Sequence, residues 1–297
     1  MAPMVFVALA LAAACLLLAV WMLFVGPRLL HVRRVSMPAG RLPALRILHL
    51  TDTHFHGRDG VILSFLERLA GREQFDLLLL TGDLIDTADG VPSLERAVRL
   101  FRPALGGFAV LGGHDYRNIG ALRPYVHILT GQDLRRGCPE NPAAEVIKRL
   151  EANGVRVLDD ANCLVDGPDG RAFAVVGLRD AFEFEPDYDA AWAGLGPDLP
   201  VLAIAHSPDV VREVGRRGAD AAFFGHTHGG QVRFPLIGAL VTHTRLPRRQ
   251  AWGTFLEGRT SFVVSNGLGA SLSTSYRLLC PPEAVVAELE RKKPAHG

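Results

Sequence analysis

Aspartate and histidine residues fall at the ends of short apolar runs along this chain, and that placement limits the fold more than any other feature. Asp52 and His54 follow the run 46–50, Asp83 follows 76–80, and His114 follows 108–111. His206 follows 201–205, and His226 and His228 follow 222–224. Apolar runs this short, bounded by turn residues, read as buried strands. Between them, residues 61–70 have helical spacing, 93–105 read as a helix with Ser93 as its N-cap, and 142–153 read as a helix closed by Gly154. Strands alternating with helices predict an α/β fold with parallel strands. In such a sheet the C-terminal strand ends form one edge, where ligands bind. Residues distant in sequence therefore converge there.

The remaining segments organise around this rhythm. Residues 173–176 form another strand, and 252–255 with 261–265, joined by Glu257-Gly258-Arg259, read as a hairpin. The rhythm is interrupted at 116–142, which reads either as an ordinary surface insertion or as a lid over the site. His49, inside the first strand, reads as structural, whereas His56 is able to touch substrate. Arg277 reads as a surface arginine; His243 and Arg245 are open to either view.

Residues 5–25 are uninterrupted apolar sequence, which at about 1.5 Å per residue spans roughly the 30 Å of a bilayer core. A secretory signal would show a basic start and a small-residue cleavage site. Here no Lys or Arg precedes the run and Gly26-Pro27-Arg28 follows it, so an uncleaved transmembrane helix is predicted. Arg28, Arg33, Arg34, Arg41 and Arg46 all lie on its C-terminal side, which by the positive-inside rule puts the body on the cytoplasmic face. The expected organisation is an anchor over 1–27, a juxtamembrane linker over 28–45 carrying Pro38, Gly40 and Pro43, a domain over 46–290 and a tail over 291–297.

Composition excludes several classes. With 32 Lys+Arg against 31 Asp+Glu the net charge is +1, so a nucleic-acid partner is not expected. The 4 cysteines form no CxxC pair and are too few for a disulfide scaffold. No GxxxxGK[ST] phosphate loop is present. Mixed His and carboxylate sets suit Zn, Mn or Fe.

Taken singly, an Asp-x-His or a Gly-Asp is weak evidence, but Gly225-His226-Thr227-His228-Gly229-Gly230 presents two imidazoles on a glycine-flanked turn. In order along the chain the sequence shows Asp52-Thr53-His54, Gly82-Asp83-Leu84-Ile85-Asp86, Gly112-Gly113-His114-Asp115, His206 and Gly225-His226-Thr227-His228. This series resembles the signature of the calcineurin-like metallophosphoesterase superfamily over roughly residues 46–288. The extension into Gly229-Gly230-Gln231 and the later Asn266-Gly267-Leu268-Gly269 resemble its membrane-associated bacterial phosphodiesterase branch, which includes hydrolases of UDP-2,3-diacylglucosamine.

The resemblance implies a β-sandwich flanked by helices (αββα) behind one transmembrane helix. It implies two divalent metal ions, Mn, Fe or Zn, with Asp52, His54 and His228 on one, His206 and His226 on the other, and Asp83 on both. His114 would face the substrate phosphate with Asp115 orienting it, and Asp86 would fix a ligand imidazole. The implied reaction is in-line attack on a phosphoester or pyrophosphate by a hydroxide bridging the metals, on a substrate that the anchor suggests is lipid-linked or a nucleotide-lipid. One departure stands out: the family's Asn before the catalytic His is Gly113 here, so the second metal loses a side-chain ligand. That leaves open a weak second site, or a membrane-tethered scaffold that binds metal without catalysis. A third reading, an extracytoplasmic phosphodiesterase of envelope polymers, differs in topology alone.

Overall fold

The computed structural model describes residues 2–120, 126, 129, 130 and 137–290. Helix α1 (Ala2–Val20) runs on through a wide turn at Trp21–Val25 and a tight one at Gly26–Arg28. It is the one helix among the described residues long and apolar enough to cross a membrane, and it buries none of its apolar surface against the body.

Two six-stranded sheets follow. The first is ordered β1 (His31–Pro38), β14 (Glu283–Glu290), β2 (Leu45–Leu50), β3 (Leu77–Thr81), β4 (Gly107–Val110), β5 (Val155–Val157). The second is ordered β12 (Gly253–Glu257), β13 (Thr260–Val264), β9 (Ala221–Phe224), β8 (Val201–Ile204), β7 (Ala172–Gly177), β6 (Ala161–Asp166). Within each, four neighbouring strands are parallel: β2 to β5 in one, and β13, β9, β8 and β7 in the other.

Alternate side chains of one strand point to opposite faces of its sheet. Ile47, Leu77, Leu79 and Val110 therefore face the other sheet and meet Phe173, Val175, Leu202, Ile204 and Phe223. Leu48, Leu78 and Leu80 face outward onto helices α2 (Gly60–Ala70), α3 (Val91–Arg99) and the later helix at Ala143–Ala152. The outer face of the second sheet packs Ala203, Ala222 and Phe224 against the helix at Val211–Arg216. Both faces of each sheet are thus covered, which is why Leu77–Thr81 reads as a continuous apolar run with no polar alternation. At about 1.5–3 kcal/mol for each fully buried Leu or Ile, this core dominates the stability of the domain.

Two sequence expectations change. Within residues 28–45, read as a linker, His31–Pro38 is a strand paired in parallel with β14 from His31↔Glu283 to Pro38↔Glu290. Val32 packs on one core and Met37 on another, while Arg33 and Arg34 point to partners Glu283 and Glu73. A charged edge strand closes the sheet, and Pro38 ends it. Helix α3 starts at Val91 after Gly90, so Ser93 lies inside its first turn rather than capping it; Pro92, also in that turn, has no N–H to leave unsatisfied. Of the 116–142 segment read as an insertion or lid, residues 121–125, 127, 128 and 131–136 lie outside the described residues.

Candidate metal centre

The parallel strands of both sheets end at one edge, and the loops leaving them carry the acidic and histidine residues. Asp52 and His54 leave β2, Asp83 leaves β3, His206 leaves β8, and His226 and His228 leave β9. Asp52, His54, Asp83, His226 and His228 each adopt a left-handed backbone conformation, with φ of 49°, 45°, 51°, 69° and 47°. Such conformations cost of order 1–3 kcal/mol each outside glycine and gather at functional sites. Gly82 makes the tight approach possible: a Cβ there would lie 2.6 Å from His206 Nδ1.

Two triads form. Asp52, His54 and His228 offer atoms within 4.8 Å of one another, and so do Asp52, Asp83 and His206. His228 Nε2 lies 3.5 Å from Asp52 Oδ1 and 3.2 Å from His54 Nε2. A single oxygen, Asp83 Oδ2, faces His206 Nε2 at 3.3 Å and His54 Nε2 at 3.8 Å. Asp83 Oδ1 accepts from the His114 N–H at 2.9 Å. His226 belongs to neither triad. Its N–H donates to both oxygens of Asp52 at 3.1 Å, and its Nε2 lies 3.0 Å from the His243 carbonyl, leaving Nδ1 as the ring's lone pair. Its ring sits 5.1 Å from that of His206.

The donor set fits a divalent cation. His206 Nδ1 donates to the Thr81 carbonyl at 2.7 Å, so Nε2 carries a bare lone pair; it is buried, has no hydrogen-bond partner and faces the Asp83 carboxylate. A lone pair against a buried carboxylate repels unless positive charge lies between them. Burial opposes a proton there, yet the Asp83 charge raises His206 well above the usual imidazole range. A metal ion meets the same electrostatic demand. Burial and then the neighbouring His54 hold His228 well below that range, so it is a neutral ring with a lone pair to give.

A third cluster stands beside the triads. Asp86 Oδ1 lies 2.8 Å from His114 Nδ1 and 3.3 Å from His54 Nδ1, while Asp86 Oδ2 accepts from the Leu272 N–H at 2.8 Å. The His54 and His114 rings meet edge-on at 4.6 Å. Against the cost of burial, the Asp83 and Asp86 carboxylates raise His114 to about 9. Burial likewise disfavours charged Asp86, yet His114 and His54 hold its carboxyl far below the usual carboxylate range. Asp115, read as the residue orienting His114, does something else: it accepts from the backbone N–H groups of Leu84, Ile85 and Gly112 and braces the loop. Burial and the Asp83 charge push it up to about 7. The carboxylate beside the His114 ring is Asp86.

Several other residues take places the sequence did not signal. Arg277, read as a surface arginine, is fully buried and donates to the carbonyls of Asn266, Gly269 and Cys280, 3.3 Å from His228 Nδ1. His56 turns back onto its own loop, 3.2 Å from the His54 carbonyl and from Asp59. His49, by contrast, is the structural residue the sequence predicts, buried against Thr81 and Phe223. Where a side chain at Gly113 would emerge, Glu183 Cγ and Oε1 already stand 3.2 Å from the Cβ position. No periodicity marks a lone Arg or Glu in an irregular loop, so nothing in the sequence pointed to either.

Comparison with known proteins places this geometry. The chain is similar to the UDP-2,3-diacylglucosamine pyrophosphatase LpxG of Chlamydia trachomatis, 26% identical over 75% of this chain and 76% of that protein. It is 27% identical to the phosphodiesterase YaeI of Escherichia coli, over 82% of each chain. An uncharacterized metallophosphoesterase of Bacillus subtilis, YkuE, is 26% identical over 88% of this chain and 84% of its own length. Residues 45–230, more than half of the sequence and the stretch holding every residue of the two triads, match the family model for calcineurin-like phosphoesterases, and the chain belongs to that family of metal-dependent phosphoester hydrolases.

Proposed function

We propose that the chain is a membrane-anchored phosphohydrolase whose substrate is a phosphoester or pyrophosphate carried on a lipid or nucleotide-lipid. Asp52, His54 and His228 would hold one divalent ion, Mn, Fe or Zn; His206 and His226 Nδ1 would hold a second, and the Asp83 carboxylate would serve both. When bound, such a pair supplies a nucleophilic water near neutral pH and neutralises the phosphoryl oxygens. The remaining work belongs to the chain. His114 would keep its ring proton against the Asp86 carboxylate, since the metals would neutralise Asp83, and would give it to the leaving oxygen. Asp86 holds the His54 and His114 rings at once, so metal ligand and proton donor share one brace.

The observation that carries this reading is that sharing: one oxygen of Asp83 faces both His206 and His54, and Asp86 joins His54 to His114. The lipid-linked substrate is supported by helix α1 and by the name of the LpxG relative. The arginines after α1 favour a catalytic domain, residues 31–290 with the strand His31–Pro38 included, on the cytoplasmic face.

A second reading has its own observation. Gly113 supplies no side-chain ligand and Glu183 fills the space, which favours a scaffold with a degenerate second site. One experiment separates the two: hydrolysis of bis-p-nitrophenyl phosphate by the full chain with Mn²⁺, beside Asp83→Asn. Metal-dependent turnover that falls by about 10³-fold or more in the variant is expected. Bound metal without turnover of any phosphoester would favour the scaffold.

A further inference from the structure

The two histidines of the Gly225-His226-Thr227-His228 turn are joined to an exposed apolar loop that the reaction does not use. Residues 234–241 read Phe-Pro-Leu-Ile-Gly-Ala-Leu-Val, eight positions without a polar side chain. They fold as a two-stranded hairpin, β10 (Arg233–Phe234) against β11 (Gly238–Ala239). Phe234, Ile237, Leu240 and Val241 are each at least 40% exposed, and Leu236 is wholly exposed. A soluble surface seldom leaves so many large apolar side chains together in water.

Three observations say what covers them. First, the hairpin is tied to the base of the apolar helix: the Arg233 N–H donates to the Leu278 carbonyl at 2.9 Å, and the adjacent Arg277 N–H donates to the Met22 carbonyl at 2.9 Å. Second, the arginines that follow the loop, Arg245, Arg248 and Arg249, are exposed. An apolar tip backed by arginines suits the boundary between acyl chains and anionic head groups. Third, the loop starts and ends at the metal centre: it leaves from His228, and on its return the His243 carbonyl meets His226 Nε2 at 3.0 Å.

We infer that residues 234–241 insert into the outer part of the bilayer, with Leu236 and Ile237 as the tip and the arginines on the head groups. The inference rests on the membrane-anchored reading above. The protein then holds the bilayer at two points, α1 and the hairpin, with the metal centre between them. Arg277 spans that gap alone, with its backbone on Met22 and its guanidinium 3.3 Å from His228. The centre therefore lies within one side chain's reach of the anchor, at the depth where the phosphoryl group of an amphiphile resides. An amphiphilic phosphoester is thus hydrolysed without leaving the membrane.

The test uses the full chain in vesicles of phosphatidylcholine and phosphatidylglycerol, with photoreactive p-benzoylphenylalanine placed in turn at positions 11, 164 and 236. Leu11 is exposed on α1, and Leu164 is exposed on the edge strand β6. An unchanged melting temperature reports that each labelled protein is folded. Lipid adducts are expected at 11 and 236, with none at 164. Adducts at 11 alone overturn the insertion and leave the anchor standing. Absence at both, with the protein in the supernatant, overturns the anchor and the insertion together. Crosslinking of 236 to a second copy of the chain assigns the tip to self-association and overturns the proposal. Omitting phosphatidylglycerol should lower the yield at 236 about threefold or more while leaving that at 11 unchanged; equal yields would remove the arginines from the contact.

Discussion

The two halves of the metal centre are built differently. In the half formed by Asp52, His54 and His228, the far nitrogen of His54 lies against a carboxylate, Asp86, which also holds His114, and that of His228 lies beside the Arg277 guanidinium. In the half formed by His206 and His226, the far nitrogens meet backbone carbonyls, those of Thr81 and His243. A carboxylate neighbour makes an imidazole a stronger base and a better ligand than a neutral carbonyl does. The second half also has Gly113, with Glu183 over its Cα, and its His243 partner sits on the loop that follows the exposed hairpin. The difference teaches that the first half is braced by a carboxylate, while the second depends on the loop around it.

Three measurements press on that contrast. The largest effect is expected for His114→Asn, which removes the proposed proton donor: turnover of an ester with a poor leaving group should fall by about 10²–10⁴-fold while metal content is unchanged. Loss of metal instead would make His114 a structural part of the centre.

Next comes Asp86→Asn, with an expected loss of about 10–100-fold in metal affinity or activity. It also carries a pH signature. In the metal-free protein the His114 pKa is raised to about 9 from an ordinary imidazole value. Its contribution to stability is therefore fully present below about pH 6.5 and is lost as pH rises through about 9. Calorimetry should show the melting temperature falling across that window, and Asp86→Asn should flatten the fall. An unaltered slope would show that Asp86 does not hold the His114 proton.

The smallest effect separates the two sites directly. Titration of the metal-free chain with Mn²⁺ should give two phases, the weaker one abolished by His226→Ala and the stronger one by His228→Ala. Equal affinities, or both phases lost in either variant, would erase the contrast between the halves.

Much of this was legible beforehand. The run 76–80 had to be a buried strand, and the motif residues had to lie where strands end, because chain direction in a parallel sheet sends every such end to one edge. The hairpin across Gly258 was legible for a similar reason: Gly258, with φ of +61°, permits the two-residue turn between Glu257 and Thr260. The strand His31–Pro38 was not, since its pairing with Glu283–Glu290 joins positions about as far apart as the chain allows. Local composition there, two valines and two arginines among His31, Ser36, Met37 and Pro38, reads equally as a linker.

The sequence by itself determined which residue types gather at the centre and that one apolar segment precedes the domain. Local spacing and hydrophobic period carry that information, and both are properties of a few neighbouring residues. Only the tertiary structure decided which carboxylate braces which imidazole. Asp86 rather than Asp115 stands beside His114 because the loops leaving β3 and β4 lie against each other, and Asp115 turns to the backbone donors of Leu84 and Ile85. Arg277 is buried for the same kind of reason. The chain folds back so that the carbonyls of Asn266, Gly269 and Cys280, all within 11 residues of it, surround the guanidinium beside the distant His228, and a buried guanidinium persists only where such acceptors surround it.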